Sequence, residues 1–509
     1  MKNRKLYTYL LILILSLGAF FRIFHLGSNP NGLHIDEAFN GYTAFSLIET
    51  KRDTCGIRFP IFFARQPTIY FSSPYIYASV PFVFLFGLSE LSVRLTAAFL
   101  GVLTIGLTYL CVKQLLGRRI ALISSFLLSI SPWHIQFSRI ALRSVMLPCC
   151  FIVAVYLLQK SLRKKLYIYF GFLALGLTAY TYSSANIFVP LFILVFLIIY
   201  RGYLIEIKKE TTVALLIFVI IFIPVVIQSS TPPGNQYFKK VSYIGSEFRF
   251  GYVKEFATRY IEYFSPKFLF FSGGSDPRFN LQYSGLLYFF EFPLLLIGLY
   301  IMITRRSKEH LLLLSWLFIY PISASLTSSH YHACRSINAI PVFQIITAQG
   351  AYSLFRFIKK REKVVILLLL FFIIGIVNVS FYFYNYFFLY PKYSAPAWQY
   401  GYRNAISYIE GVKKEYSRVV ISSKLRYPYE LVLFYTQYNP SKYQKNPVSI
   451  SKKGVKGIIG KYHFRSSDRD EYHRSLYLSP PQQWEGLTVK KTIFSPGGQP
   501  LLQVGEYIE

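Results

Sequence analysis

The chain has 509 residues, of which 53% are hydrophobic, 19% aromatic and only 15% charged, against about 25% charged in an average soluble domain. That composition reads as a polytopic membrane protein, with 48 Phe and 43 Tyr available for lipid–water boundaries. The formal charge of +32 lies in short clusters between apolar segments, a topology signal of membrane proteins. There is no Walker loop, zinc-finger spacing or basic DNA-reading helix, so nucleic acid is not an expected partner.

A membrane-spanning helix needs about 20 apolar residues. Eleven stretches qualify approximately: Leu6–Phe24, Val93–Val112, Ile120–Gln136, Met146–Leu158, Leu166–Tyr182, Ile187–Tyr200, Thr212–Gln228, Gly285–Ile303, Leu311–Leu326, Ile337–Phe355 and Val364–Phe387. The chain's beginning, Met1–Lys5 and then Leu6–Phe21, could pass for a signal peptide, but it lacks a small-residue cleavage site and Arg22 follows directly, so it reads as an uncleaved anchor. With Met1–Lys5 cytoplasmic, every cytoplasmic connection in this count is basic, from Lys113/Arg118/Arg119 to Arg356/Lys359/Lys360/Arg361/Lys363. The short outer connections Tyr182–Asn186 and Thr327–Ser336 hold only Arg335. Moving the phase by one span would invert this agreement with the positive-inside rule. The pattern requires the apolar stretch Tyr70–Leu88, with Pro74 and Pro81, not to span. The first outer loop, residues 27–92, is therefore expected to hold two interfacial amphipathic helices near Glu37–Glu49 and Pro74–Phe86.

A second outer loop covers residues 229–284. Residues 1–388 form the expected membrane domain, and the polar, basic, Tyr-rich residues 389–509 an outward-facing α/β domain, a lid or acceptor platform by its lack of catalytic signature. In it Ala397–Tyr416 reads as a helix and Arg418–Ser422 as a buried strand. Gly486–Phe494 and Leu501–Ile508 read as a hairpin about Ser495–Pro500. The five cysteines form no metal-ligand or disulfide framework. A Cys55–Cys334 bridge stays open.

Acid is scarce, with 23 Asp and Glu against 55 Lys and Arg, yet Asp36 and Glu37 stand together just after the first apolar segment. A carboxylate beside a bilayer is costly without a partner or a task. Asp36 is either a general base or the cap of the helix that follows. Transfer of a sugar from a phosphate needs a base for the acceptor hydroxyl and cations for the departing phosphate, for which arginine forks are suited. Arg139 and Arg143 (which also read as snorkelling residues at a helix end), Arg335 and Arg65 are the candidate phosphate holders. His330 and His332 could ligate a metal, although His-x-His has no clear carboxylate partner. His134 behind Trp133 reads as a packing pair or a substrate contact. Asp276, in Gly-Gly-Ser-Asp-Pro, reads locally as a turn.

Four features then form a pattern: the Asp36–Glu37 pair, the stretch Gln66–Pro67–Thr68–Ile69–Tyr70, the run Gly87–Leu88–Ser89–Glu90–Leu91–Ser92–Val93–Arg94–Leu95, and Ser131–Pro132–Trp133–His134–Ile135–Gln136–Phe137–Ser138–Arg139. Together these resemble the GT-C superfamily, in particular bacterial relatives of protein O-mannosyltransferases and lipid A aminoarabinose transferases. The resemblance covers roughly residues 1–350. It implies an all-α polytopic GT-C-type domain carrying a small extracytoplasmic C-terminal α/β domain. The cytoplasmic membrane would hold the protein as a multi-pass chain, with its N-terminus inside. It implies an inverting hexosyl transfer at the outer face, from a polyprenyl-phosphate-linked sugar donor to an acceptor protein, lipid or glycan.

By the same resemblance Asp36 would be the catalytic base, assisted by Glu37, and Arg94 and Arg335 would serve site architecture or donor phosphate. His332, His134, Asp276 and Tyr42 would be candidates for substrate contact. Relatives often carry Lys directly before the first-loop proline; here Arg65–Gln66–Pro67 displaces the cation by one residue. Relatives also often carry an acid after the Ser-Arg pair, and Ile140–Val145 has none, so a metal site there is not supported and the need for a divalent metal stays open. The alternatives are a lipid-linked saccharide flippase or transporter, against which the uncharged spans argue, and a non-catalytic envelope assembly protein.

Overall fold

The structure is a computed structural model. It describes residues 2–66, 69–232, 242–243, 250–358, 361–451, 454–464 and 474–507. Pro67 and Thr68 of the first-loop motif, part of the loop 229–284, Lys359, Lys360 and Ile508 lie outside the described residues.

All eleven apolar stretches are helical over most of their length. Among the described residues five helices are long and apolar enough to cross a bilayer: Lys5–Ile23, Glu90–Leu115, Arg143–Ser161, Lys208–Ser230 and Val365–Ser394. Three apolar helices are shorter: Pro74–Phe86, Tyr167–Thr178 and Ala185–Ile199. Three of the expected spans are interrupted at proline. Ile120–Gln136 divides into Arg118–Ile130 and Pro132–Phe137. Ser131 leaves helical geometry there and caps the second piece by accepting from the His134 amide. Leu311–Leu326 breaks before Pro321, and Ile337–Phe355 opens with a 3₁₀ turn before Pro341. In each case proline lacks the amide needed to continue the ladder.

The chain forms two compact units. The first comprises Met1–Phe24, Ala97–Arg139 and Arg143–Asn385. Its tightest helix contact joins Glu291–Arg305 to Val342–Phe357 through Gly298 and Gly350. A Cβ at Gly350 would overlap the Leu294 carbonyl, and one at Gly298 the Ile346 carbonyl. Small residues let helix backbones approach in this way where apolar burial against lipid offers little driving force.

The second unit comprises His25–Thr96, Ile140–Leu142 and Tyr386–Glu509. The first outer loop thus groups with the C-terminal residues from Tyr386 onward. Helices Ile35–Thr50 and Pro74–Phe86 stand where the two loop helices were expected. Between them Phe62–Gln66 and Ile69–Ser72 pair antiparallel. The C-terminal residues carry a seven-stranded mixed sheet. Its central strand Arg418–Ile421 runs parallel to both neighbours, Tyr462–Phe464 and Ser475–Ser479. Val419, Val420 and Ile421 are buried, as the apolar run required. Thr488–Phe494 and Pro500–Glu506 form the expected hairpin. The helix expected over Ala397–Tyr416 is shorter, Tyr402–Val412, because Gly401 at φ 95° is its N-cap.

Candidate active site

Asp36 does not cap its helix. The N-cap is His34, whose ring accepts from the Asp36 amide at 3.2 Å, and Glu37 closes the capping box by accepting from the His34 amide at 3.1 Å. The two adjacent acids thus part company. On a helix, neighbours in sequence point about 100° apart, and here one points inward and the other outward. Glu37 is wholly buried, whereas the Asp36 side chain is 40% exposed.

Glu37 is fully engaged. Arg94 donates to it from Nε and Nη2, each at 3.0 Å, and the Ala141 amide donates to Oε1 at 2.8 Å. The remaining Arg94 donors reach the carbonyls of Pro30 at 2.8 Å and Gly32 at 2.5 Å. Gly32 has φ 104°, and a Cβ there would meet the Trp398 carbonyl, so the loop needs glycine at that point. Glu37 and Arg94 together build the loop that presents Asp36.

Asp36 pairs with Arg65 Nη1, and His34 Nδ1 lies 3.4 Å from its other oxygen. Arg65 is the extra residue where the first-loop hairpin changes register between Ala64 and Gln66. A bulge of this kind re-aims a side chain, which accommodates the one-residue displacement of the cation. Its guanidinium lies 5.4 Å from the centre of the Phe39 ring, one helical turn from Asp36. Arg65 also donates from Nε and Nη2 to both oxygens of Glu430, at 2.8 and 2.6 Å. Burial alone would lower the Arg65 pKa, but the Glu430 and Asp36 carboxylates hold it well above its ordinary value. A cavity of about 50 Å³ adjoins this group, bordered by Phe39, Tyr42, Cys55, Arg65, Glu430 and Tyr443. Tyr42 is turned to architecture there, its hydroxyl donating to the Tyr438 carbonyl at 2.7 Å.

The other expected site residues lie in the first unit. Gln136 donates to the Arg278 carbonyl at 2.8 Å. The Phe137, Phe279 and His332 rings follow one another at 5.9 and 4.9 Å. Burial of the Asp276 carboxyl raises its pKa, but the Arg278 side chain and amide outweigh this and leave it below the usual range. His332 is drawn down to about 4, first by burial and then by the charge on Arg335. Arg335 donates to the Ser329 hydroxyl at 2.8 Å. Arg139 is buried and donates to the Phe21 carbonyl at 2.8 Å, and Arg143 lies over the Tyr182 ring at 5.6 Å. His330 pairs with Glu262 at 2.9 Å. Among the described residues no three His, Cys, Asp or Glu side chains converge as metal ligands do, and all five cysteines are free thiols.

Two charged residues carry more than their sequence context showed. Glu430 lies in a polar segment where an acid is unremarkable. Arg22 ends the first apolar helix, where an arginine ordinarily snorkels. Instead it is buried, donating to the carbonyls of Gly18, Ser129 and Leu128 at 2.9, 2.9 and 3.2 Å, and meeting His134 Nδ1 at 2.9 Å.

ArnT from Cupriavidus metallidurans has a similar structure over nearly the whole length, with a TM-score of 0.58 at 10% identity, covering 98% of each chain. The same protein bound to undecaprenyl phosphate gives 0.57, again at 10% identity, covering 99% of this chain and 98% of that one. This chain has a GT-C fold. The Archaeoglobus fulgidus oligosaccharyltransferase, another GT-C structure, aligns with a TM-score of 0.53 at 15% identity over 84% of this chain. The chain spans 63% of that protein's length. Residues 74–227 match the family described as dolichyl-phosphate-mannose-protein mannosyltransferase. No curated protein sequence matches the chain. The GT-C fold and the apolar helices make this a multi-pass membrane protein.

Proposed function

We propose that the protein is an inverting glycosyltransferase that moves a sugar, of the hexose class, from a polyprenyl-phosphate donor to an acceptor hydroxyl at the outer face of the cytoplasmic membrane. The observation that carries this reading is the half-exposed Asp36 carboxylate, held by Arg65 at the start of a helix anchored by the buried Glu37–Arg94 pair, in a GT-C fold. Asp36 removes the proton from the acceptor hydroxyl. The freed oxygen bonds to the anomeric carbon from the face opposite the phosphate. The bond from that carbon to the phosphate oxygen breaks, configuration inverts, and polyprenyl phosphate leaves as the anion. Glu37 and Arg94 serve this step indirectly, by fixing the helix start that carries Asp36.

The leaving phosphate needs a cation. Arg94 and Arg139 are buried and occupied by other groups, so Arg335 is the stronger choice, with Arg143 second. His332, neutral at physiological pH, and Asp276 beside Arg278 are proposed to line the substrate path. The acceptor is a protein, lipid or glycan hydroxyl. Support for a lipid-phosphate donor comes from the undecaprenyl phosphate bound by ArnT, and support for a peptide acceptor from the peptide tethered to the oligosaccharyltransferase.

The test uses purified protein in lipid nanodiscs with a panel of radiolabelled undecaprenyl-phosphate sugars. Release of undecaprenyl phosphate that is abolished by Asp36→Asn supports transfer. Release that survives Asp36→Asn, or no release from any donor, overturns it.

A further inference from the structure

We propose that Glu430 is a positioning residue of the transfer site: it grips one edge of the Arg65 guanidinium and so aims the opposite nitrogen at Asp36. This rests on the reading of Asp36 as the base, and it makes the C-terminal residues part of the reaction centre.

Guanidinium geometry supports the assignment. Arg65 offers its Nε/Nη2 edge to Glu430 as a two-point fork, at 2.8 and 2.6 Å, and Nη1 to Asp36. A two-point contact fixes the plane of the group as well as its position. A single contact to Asp36 would leave the plane free to rotate. The third constraint is the Phe39 ring beneath the guanidinium.

Glu430 is itself held rigidly. It stands in the first turn of helix Pro428–Thr436, where a carboxylate suits the helix dipole. The Tyr429 hydroxyl donates to its Oε1 at 2.9 Å, and only 2% of the side chain is exposed. That helix packs on Ile35–Thr50 at Gly41, where a Cβ would lie 2.8 Å from the Phe434 ring and 2.5 Å from Val93 Cγ1. Helix-to-helix contact therefore sets the distance between the carboxylate and the base.

Burial also separates this role from that of a placeholder for donor phosphate. A phosphate taking the Nε/Nη2 edge would strand the Glu430 carboxylate, buried and without a counter-charge, with the Tyr429 hydroxyl as its remaining donor, which is strongly unfavourable. Glu430 accordingly stays on Arg65 through the reaction. Any donor contact by Arg65 must use its outward nitrogens, on the side where Asp36 is exposed.

The experiment compares the full chain with Glu430→Gln, Glu430→Asp and Tyr429→Phe in nanodiscs. With whichever undecaprenyl-phosphate sugar of the panel turns over, Glu430→Gln should lower kcat at least tenfold with KM within twofold. Glu430→Asp should recover part of the loss, and Tyr429→Phe should lower kcat several-fold if Glu430→Gln does not fold. Unchanged kcat in the variant that folds overturns the proposal. If wild type turns over no donor, the transfer reading fails by itself, and the clamp is read by phenylglyoxal labelling of Arg65 followed by peptide mass spectrometry. Protection lost in Glu430→Gln, or in Tyr429→Phe, but kept in Asp36→Asn supports the clamp. Equal labelling of Arg65 in wild type and Glu430→Gln overturns it.

Discussion

Glu37 and Arg94, 57 residues apart in sequence, meet through two hydrogen bonds of 3.0 Å with neither side chain exposed to solvent. Removing one partner leaves an uncompensated charge inside the protein. Arg94→Ala or Glu37→Ala should destabilise by about 3–5 kcal/mol. Arg94→Lys should not rescue, since an ammonium cannot span both carboxylate oxygens and the Pro30 and Gly32 carbonyls. Thermal unfolding in detergent checks this, and wild-type melting of either alanine variant would refute it.

Asp36 should behave in the opposite way. Its side chain is 40% exposed and it is not the helix cap. Asp36→Asn should change stability by less than about 1 kcal/mol and reduce transfer about 10²- to 10⁴-fold. Melting curves and undecaprenyl phosphate release, measured on the same preparation, separate the two effects.

His332 should make the first unit sensitive to acid. Its pKa is lowered from 6.5 to about 4, by burial first and then by Arg335. Between those values the unfolded chain takes up a proton that the folded chain refuses. Stability should therefore fall as the pH drops from 6.5 toward 4, by on the order of 1–3 kcal/mol in all. His332→Gln should flatten this slope. A slope unchanged by the substitution would show that other groups carry it.

Arg22 satisfies three backbone carbonyls, two of them just before the break at Ser131–Pro132. Arg22→Ala would leave the buried Ser129 carbonyl without its donor, at a cost of about 1–3 kcal/mol, and would weaken the Leu128 carbonyl, which keeps only the Ser131 amide at 3.4 Å. It should lower the melting temperature sharply. Lys at this position should recover little, because it cannot reach all three acceptors at once.

Gly350 sets the approach of its helix to the Leu294 carbonyl. Gly350→Ala should push the two helices apart and destabilise by about 1–3 kcal/mol. Gly375, with open space around its Cβ position, is the matched control and should tolerate Ala.

Much of this was legible in the sequence because the signals are local. The apolar stretches, the loop helix Pro74–Phe86, the strand at Arg418 and the last hairpin follow from composition and period alone. Pro132, Pro321 and Pro341 carried the breaks in three expected spans, but an apolar window averages over them. Asp36 stood out because acids are rare near the spans. What could not be read was pairing across long separations. Nothing near Glu430 betrays that its partner is Arg65, and nothing near Arg22 distinguishes a carbonyl clamp from a residue reaching for water. The split in role between Asp36 and Glu37 likewise depends on Arg94 arriving from another helix.

The span of 365 residues between Arg65 and Glu430 has a consequence for biosynthesis. At ribosomal rates of about 5–20 residues per second, Arg65 is made roughly 20 to 70 s before its clamp. Throughout that interval the growing polypeptide carries the acid and the guanidinium without the carboxylate that orders them. On the proposed function, a product that ends before Glu430 would turn over no donor even if it inserts correctly.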